Sequence, residues 1–227
     1  MFLDENRVFF CGGSDDGIDT QDTYVYDLSR VELTQKADMR QARMTHGTYS
    51  YNVFIYVFGG SYESNPTLKN EVYSIDSDVW DPLPNLPEDT GMTYVTVTRR
   101  DDSLYVTGKG SSRIVRFGME SEAMTILPFK LPLIDENHKI FTVGHHIMII
   151  ELNRVYQLNE YGIKTEEYIT EDDHQPVSWL AGPPIYWQNK VFFSGNTIDD
   201  NHLYCYDPEE PDIGVFISRY NAFTNTD

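Results

Sequence analysis

A short apolar run followed by glycine recurs along this chain of 227 residues, and the recurrence limits the fold more than any other feature. After each run comes a polar stretch and then a second apolar run that usually contains tyrosine. Successive runs end about 40 to 50 residues apart. Such self-similarity must be recognised first, because each repeat is one unit that cannot bury its own faces alone. The runs occupy residues 8–13, 54–60, 104–110, 147–151 and 191–196.

Each unit supplies short strand-like segments separated by turn residues, and no unit contains a convincing amphipathic helix. In the second unit the predicted strand segments are 48–50, the run 54–60, 72–76 and 79–83. The first unit begins almost directly on its second strand, after a turn at Asp4, Glu5 and Asn6. We therefore predict an all-β fold, a β-propeller of about five four-stranded blades.

The arrangement of glycine, tyrosine and tryptophan resembles the kelch repeat. The second unit carries Gly59 and Gly60, then Tyr73, then Trp80. The first unit keeps Gly12, Gly13 and Tyr26 but has no tryptophan at the corresponding place, and the fourth unit has no glycine pair. In kelch repeats these residues are structural: the glycines allow close approach of a neighbouring blade, and the aromatic rings fill the space between blades.

One propeller domain over residues 1–227 is expected, with blade units near 1–38, 39–87, 88–130, 131–176 and 177–227. We predict that residues near 219–226, after a fourth strand at 213–217, pair with the first blade and close the ring. Closure removes exposed strand edges, which otherwise invite aggregation. The alternatives are an open fragment and half of a ring that another chain completes.

Composition restricts the class of partner. The net charge of −19 repels nucleic-acid phosphates and anionic membrane surfaces, so neither is expected as a partner. A basic protein surface or a cation is electrostatically easier. Cys11 and Cys205 each lie in an apolar run, which indicates reduced thiols rather than a disulfide framework. Without a secretory signal or a membrane-length apolar stretch, the cytoplasm is the expected compartment.

No constellation in the sequence indicates catalysis, a cofactor or a metal. Nucleophile elbows, phosphate-binding glycine loops and paired-histidine metalloprotease motifs do not occur. The nearest approach to a metal cluster is His138, His145 and His146, but adjacent strand residues point to opposite faces. The many carboxylates fall in segments that resemble loops, and the acidic run at 15–19 lacks the spacing of a helix–loop–helix calcium site.

Propellers bind partners at the loops of one face, here including 14–23 and 61–70. From the kelch resemblance, Arg43 occupies a place where such domains often carry an arginine that contacts acidic ligands. Its alternative role, and that of Arg219, is pairing with carboxylates of neighbouring loops. Aromatic and arginine side chains dominate interface energetics. The predicted partner-binding residues are Arg43, Tyr62, Asp15, Asp16, Trp179 and Arg219.

Three functions fit these observations. The first is a non-enzymatic protein-interaction module, such as an adaptor, a scaffold, or a cytoskeletal or ubiquitin-ligase substrate-recognition component. The second is a sugar-processing propeller enzyme, a glycosidase or isomerase, that uses carboxylates in the central channel. The third is a structural subunit of a large assembly. The sequence leaves the oligomeric state and the identity of the partner open.

Overall fold

In the computed structural model, antiparallel β-sheets make up nearly all of the regular structure of the described residues, and this confirms the all-β prediction. One short 3₁₀ helix, Glu88–Thr90, interrupts them. The chain forms two compact units, Met1–Glu136 and Asn137–Asp227. The structure describes residues 1, 3–131, 134–136, 138–151, 154–159, 162–167, 179–187, 190–196, 201–206 and 216–218.

The first sheet has three strands in chain order, β1 (Arg7–Asp15), β2 (Ile18–Asp27) and β3 (Glu32–Gln35). Residues at the start of the chain fold back along the free edge of β1. The backbone groups of Met1 and Phe9 exchange two hydrogen bonds of 2.9 and 2.7 Å, and the Leu3 N–H donates to the Arg7 carbonyl at 2.8 Å. Met1 and Leu3 thus lie where an innermost strand would begin, a contact that the sequence pattern did not predict.

The second sheet follows the four-strand pattern predicted for its unit. It is ordered β4-β5-β8-β9, and the two-stranded β6–β7 hairpin is inserted between its second and third strands. The strands are β4 (Gly47–Tyr51), β5 (Phe54–Phe58), β6 (Ser61–Tyr62), β7 (Asn65–Pro66), β8 (Asn70–Ser74) and β9 (Val79–Leu83).

The third sheet also has four strands in chain order. It packs on the second through Phe117, whose ring centroid lies 5.6 Å from that of Phe58 in an edge-on contact. Both faces of the second sheet are therefore buried, because Ile55 and Val57 pack towards Phe9 of the first sheet. The third sheet's strands are β10 (Thr93–Arg100), β11 (Ser103–Lys109), β12 (Arg113–Gly118) and β13 (Met124–Lys130).

The second compact unit, Asn137–Asp227, contains two four-stranded sheets, each in chain order. The fourth repeat forms a complete sheet although its apolar run lacks glycine, since Ile147, Ile149 and their neighbours pair along the strand on both sides. The strands are β14 (Lys139–Val143), β15 (His146–Glu151), β16 (Arg154–Asn159), β17 (Gly162–Glu167), β18 (Trp179–Trp187), β19 (Lys190–Asn196), β20 (Asn201–Tyr206) and β21 (Phe216–Ser218).

The predicted loop at 14–23 is mostly strand, because β1 and β2 continue to a two-residue turn at Asp16 and Gly17. The fourth strand predicted at 213–217 is observed as β21 (Phe216–Ser218). Closure by 219–226 lies outside the described residues, so the closed ring, the number of blades and the single-domain organisation remain predictions.

Candidate functional site

Two tight hairpin turns stand next to each other at one edge of the first unit. The β1–β2 hairpin turns at Asp16 and Gly17, with φ of +48° and +82°. The β6–β7 hairpin turns at Glu63 and Ser64, with φ of +50° and +65°. Positive φ at both central residues matches the right-handed strand twist, and Asp-Gly is the usual sequence for it. Glu63 and Ser64 are uncommon there, and residues held in such backbone conformations cluster at functional sites.

Direct hydrogen bonds fix the two hairpins relative to each other. The Glu63 N–H donates to Asp19 Oδ2 at 2.8 Å, which links the turn of the second hairpin to the strand directly after the turn of the first. Met44 and Ser61 exchange backbone hydrogen bonds of 3.0 and 2.8 Å. Between the hairpins lies a cleft of about 360 Å³. We call this the hairpin cleft; its lining includes Ile18, Asp19, Ala42, Met44, Tyr62 and Glu63.

Arg43 ties this edge to the second sheet. Its guanidinium donates to the carbonyl oxygens of Gly59 at 3.0 Å and Lys69 at 2.6 Å, and it pairs with Glu71 Oε1 at 2.5 Å. Its backbone bonds to the first sheet through Thr20 O and Gly13 N–H. A buried charge needs such partners, because an unpaired one would cost several kcal/mol.

The side chain of Arg43 is 0% exposed, so a partner cannot reach it in this structure. Of the two roles considered from the sequence, pairing with a neighbouring carboxylate is the one that its geometry fits. Arg43 therefore positions the hairpin cleft and does not line it. The sequence analysis did not identify Glu71, because β8 also contains the polar residues Asn70 and Ser74 and nothing in its sequence marks this carboxylate.

Glycine allows the segment around Arg43 to approach both sheets. Gly12 has a φ of +60°, and a Cβ there would stand 2.5 Å from the Arg43 carbonyl oxygen. Gly60 has a φ of +90°, and a Cβ there would stand 2.5 Å from the Met44 carbonyl oxygen. Such distances are not tolerated against backbone atoms, so both repeat glycines have a packing reason as well as a conformational one.

Cys11 and His46 meet beneath the same segment, with Sγ and Nε2 3.5 Å apart. Burial raises the pKa of the Cys11 thiol to about 12. Burial, and then the Arg43 charge, lower the pKa of His46 to about 4. A neutral thiol beside a neutral ring is not an activated nucleophile, because attack requires the thiolate. This pair therefore serves as packing between the sheets.

The remaining predicted site residues have different placements. Tyr62 is 39% exposed beside Ile18, which is 72% exposed and was not predicted. Asp15 and Asp16 are exposed at the tip of the first hairpin. Trp179 is the first residue of β18, and Arg219 lies outside the described residues. Tyr62 thus lines the hairpin cleft, whereas Asp15 and Asp16 lie next to it, on the hairpin whose turn residue Gly17 lines it. Ile18 had a sequence signal, an isolated apolar residue directly after an Asp-Gly turn.

The repeat aromatics occupy the contact between the first two sheets. The indole N–H of Trp80 donates to the Ala37 carbonyl at 2.8 Å, and the Tyr73 hydroxyl donates to Asp78 Oδ1 at 2.6 Å. The ring centroids of Phe9 and Tyr73 are 5.3 Å apart. Burial, followed by the Asp78 hydrogen bond, raises the pKa of Tyr73. Each ring thus buries apolar area and satisfies its polar end.

Comparison with known proteins agrees with this arrangement. Kelch-like protein 15 of Mus musculus is 32% identical over 125 residues, covering 45% of this chain and 20% of the relative. The Homo sapiens protein of that name is 31% identical over 125 residues, again with 20% of its length covered. Alpha-scruin of Limulus polyphemus is 30% identical over 117 residues, covering 45% of this chain and 13% of the relative. These similarities support the kelch resemblance that the repeated residues of the sequence indicate.

The matched segment covers a fifth or less of the length of these relatives. No protein-family model matches the chain. Within the part of the chain that the structure describes, no group of three or more His, Cys, Asp or Glu side chains is placed to hold a metal ion. No helix among the described residues is both long and apolar enough to cross a membrane.

Proposed function

We propose that this kelch-repeat chain is a non-enzymatic protein-interaction module, an adaptor or scaffold, that binds a partner protein at the hairpin cleft. The observation that carries the proposal is the exposure of Tyr62 and Ile18 side by side between two hairpins that hydrogen bonds hold together. Exposed apolar groups gathered on a polar edge mark interaction sites. Kelch-like and scruin relatives support a protein-binding role over an enzymatic one.

The proposal includes the finer architecture that the sequence predicts, in which the sheets are blades of one propeller. It also includes action in the cytoplasm, which the free thiol of Cys11 suits. The hairpin cleft then belongs to the face that presents the connections between strands. Rigid sheets position such connections and leave their tips free to contact a partner.

A sugar-processing enzyme requires carboxylates that converge on one pocket. Asp15 and Asp16 instead occupy the exposed tip of a hairpin, and Glu71 is neutralised by Arg43. Among the described residues these placements favour the binding module. A structural subunit in a larger assembly would use the same protein-binding chemistry at a different surface, and the experiment below separates the two.

Site-specific photo-crosslinking tests the proposal. A photoreactive amino acid replaces Tyr62 at the hairpin cleft in one variant, and Val79 in a matched control. Val79 is also exposed, at 45%, but begins an outer strand of the second sheet. Irradiation in extract of the source cells should give one discrete protein adduct at Tyr62, since a bound partner places its atoms against that ring.

The Val79 control shows which results would reject the proposed binding surface. An adduct of equal yield at Val79, or the absence of any discrete adduct at Tyr62, would reject the hairpin cleft as the binding surface. Adducts at Val79 alone would favour the structural-subunit alternative. Both variants should retain the unfolding free energy of the natural chain to within about 0.5 kcal/mol, because both side chains are exposed.

A further inference from the structure

The chemistry of the hairpin cleft restricts the kind of segment that can enter it. Its apolar side consists of Ile18, Ala42, Met44 and Tyr62. Ile18 and Tyr62 come from different hairpins, and the Met44–Ser61 backbone pair and the Glu63–Asp19 bond hold those hairpins in place. The apolar surface is therefore preformed, which lowers the entropic cost of binding. An apolar side chain of a partner can enter without rearrangement.

Carboxylates surround this apolar surface. Asp15 and Asp16 lie at the tip of the first hairpin, Asp19 two residues after its turn, and Glu63 at the tip of the second. Within the described residues none of these four forms an ion pair. The pKa of Tyr62 is raised first by its hydrogen bond with the Glu63 carboxylate, then by the charge of that carboxylate, by desolvation and by the charge of Asp19. The potential around the cleft is thus negative, in agreement with the net charge of −19.

Taking the proposed function as its basis, we infer that the hairpin cleft binds a protein segment with one apolar side chain flanked by Lys or Arg. The apolar side chain packs between Ile18 and Tyr62, and the flanking cations face Asp15, Asp16 and Glu63. Apolar contact supplies affinity, whereas charge complementarity supplies specificity and speeds association. An acidic segment and a nucleic acid are disfavoured, since each would bring like charges together.

Selection from a random peptide library displayed on phage, with the whole chain immobilised, tests this inference without knowledge of the natural partner. The natural chain should enrich peptides in which an apolar residue is flanked by Lys or Arg. A charge variant, Asp15→Asn with Asp16→Asn and Glu63→Gln, should lose the basic enrichment and keep the apolar one. Asn tolerates the left-handed backbone at residue 16, so the turn is preserved. Asp19 is left unchanged because it orders the second hairpin.

An apolar variant, Ile18→Ser with Tyr62→Ser, should lose enrichment altogether. A synthetic peptide of the selected type should bind the charge variant about tenfold more weakly than the natural chain, because three exposed charge contacts of about 0.5 kcal/mol each are lost. Its affinity should also fall as salt screens the carboxylates.

The inference would be overturned if the natural chain selected acidic peptides or peptides without a consistent pattern. It would also be overturned if the charge variant selected the same peptides as the natural chain. Those results concern only the chemistry of the cleft. A discrete crosslink at Tyr62 together with a different peptide pattern would keep the proposed function and reject this inference. Enrichment of basic–apolar peptides without a crosslinked partner in extract would keep this inference about the chemistry of the cleft and reject the proposed function.

Discussion

The first two sheets place equivalent residues in equivalent rows, yet only one row is buried. In the second sheet Tyr73 pairs with Ile55 on one side and Trp80 on the other. In the first sheet Tyr26 pairs in the same way with Val8 and Leu33. Ile55, Tyr73 and Trp80 are 0%, 1% and 3% exposed, whereas Leu33 is 57% exposed and Val8 and Tyr26 are partly exposed.

The difference shows what a repeat position determines and what it does not. Repeat position determines that the residue is apolar and which face of the sheet it occupies, because side chains alternate along a strand. The neighbouring sheet determines whether that face is shielded from solvent. The second sheet's row packs with Phe9 of β1 and with Met39 of the connection between β3 and β4. The first sheet's row has the same tyrosine, with leucine where the second has tryptophan, and is partly to largely exposed.

The largest effect is expected from truncating the two rows at matched positions. Trp80→Ala should lower the free energy of unfolding by about 4 kcal/mol, since it removes a buried ring and leaves a cavity. Leu33→Ala should cost less than about 1 kcal/mol, because its side chain already contacts water. Chemical denaturation of the two variants and the natural chain measures both values. Equal costs would show that the two rows have the same environment.

A smaller loss is expected at the ion pair that joins the two sheets. Glu71→Gln should cost about 3 kcal/mol, because it leaves the buried Arg43 guanidinium without a counter-charge. The same denaturation assay applies. The exposed pair Arg7–Asp4 offers a control, and Asp4→Asn should have a much smaller effect because solvent screens that pair. If Glu71→Gln were as harmless as Asp4→Asn, the description of Arg43 as a buried link would be wrong.

A third effect is a dependence of stability on pH that comes from His46 between the sheets. Its folded pKa is about 4, below the ordinary 6.5, so the native state keeps the ring neutral where the unfolded chain binds a proton. Stability from this group is complete above 6.5 and is lost as pH falls from 6.5 towards 4. The slope approaches about 1.4 kcal/mol per pH unit.

Unfolding free energies measured between these pH values for the natural chain and for His46→Gln provide the comparison. The variant should show a shallower slope, and the difference between the two curves isolates His46 from the carboxylates that titrate in both proteins. Parallel curves would contradict the buried, neutral ring.

Much of the fold could be predicted from the sequence, because apolar runs and turn residues mark individual strands. The four strands of the second unit and the family resemblance were predicted from residues such as Gly60, Tyr73 and Trp80, and both are confirmed. The length of the first hairpin was not predicted, because Asp16-Gly17 lies in a polar stretch that resembles a loop. A tight turn of this type extends a ladder without any apolar signal.

The candidate site was harder to predict, because it depends on contacts between distant segments. Arg43 pairs with Glu71 only because the connecting segment passes against the end of the second sheet, and sequence spacing carries no information about that contact. Ile18 becomes part of the hairpin cleft only because the Glu63 N–H reaches Asp19. Tyr62 could be selected as an aromatic next to the glycine pair, whereas the residues it faces could not.

Successive sheets stack face to face, and the neighbouring sheet, not the identity of the repeat residue, determines whether that residue is buried. Tyr26 and Tyr73 test it most directly, since they are the same residue at the same repeat position. Hydroxyl-radical footprinting of the native chain, read by mass spectrometry, should oxidise Tyr26 readily and leave Tyr73 protected, with the difference disappearing in denaturant. Equal, high reactivity of the two tyrosines in the native chain would contradict the claim, whereas equal protection of both would show that a further sheet covers the first row, as the predicted ring closure requires.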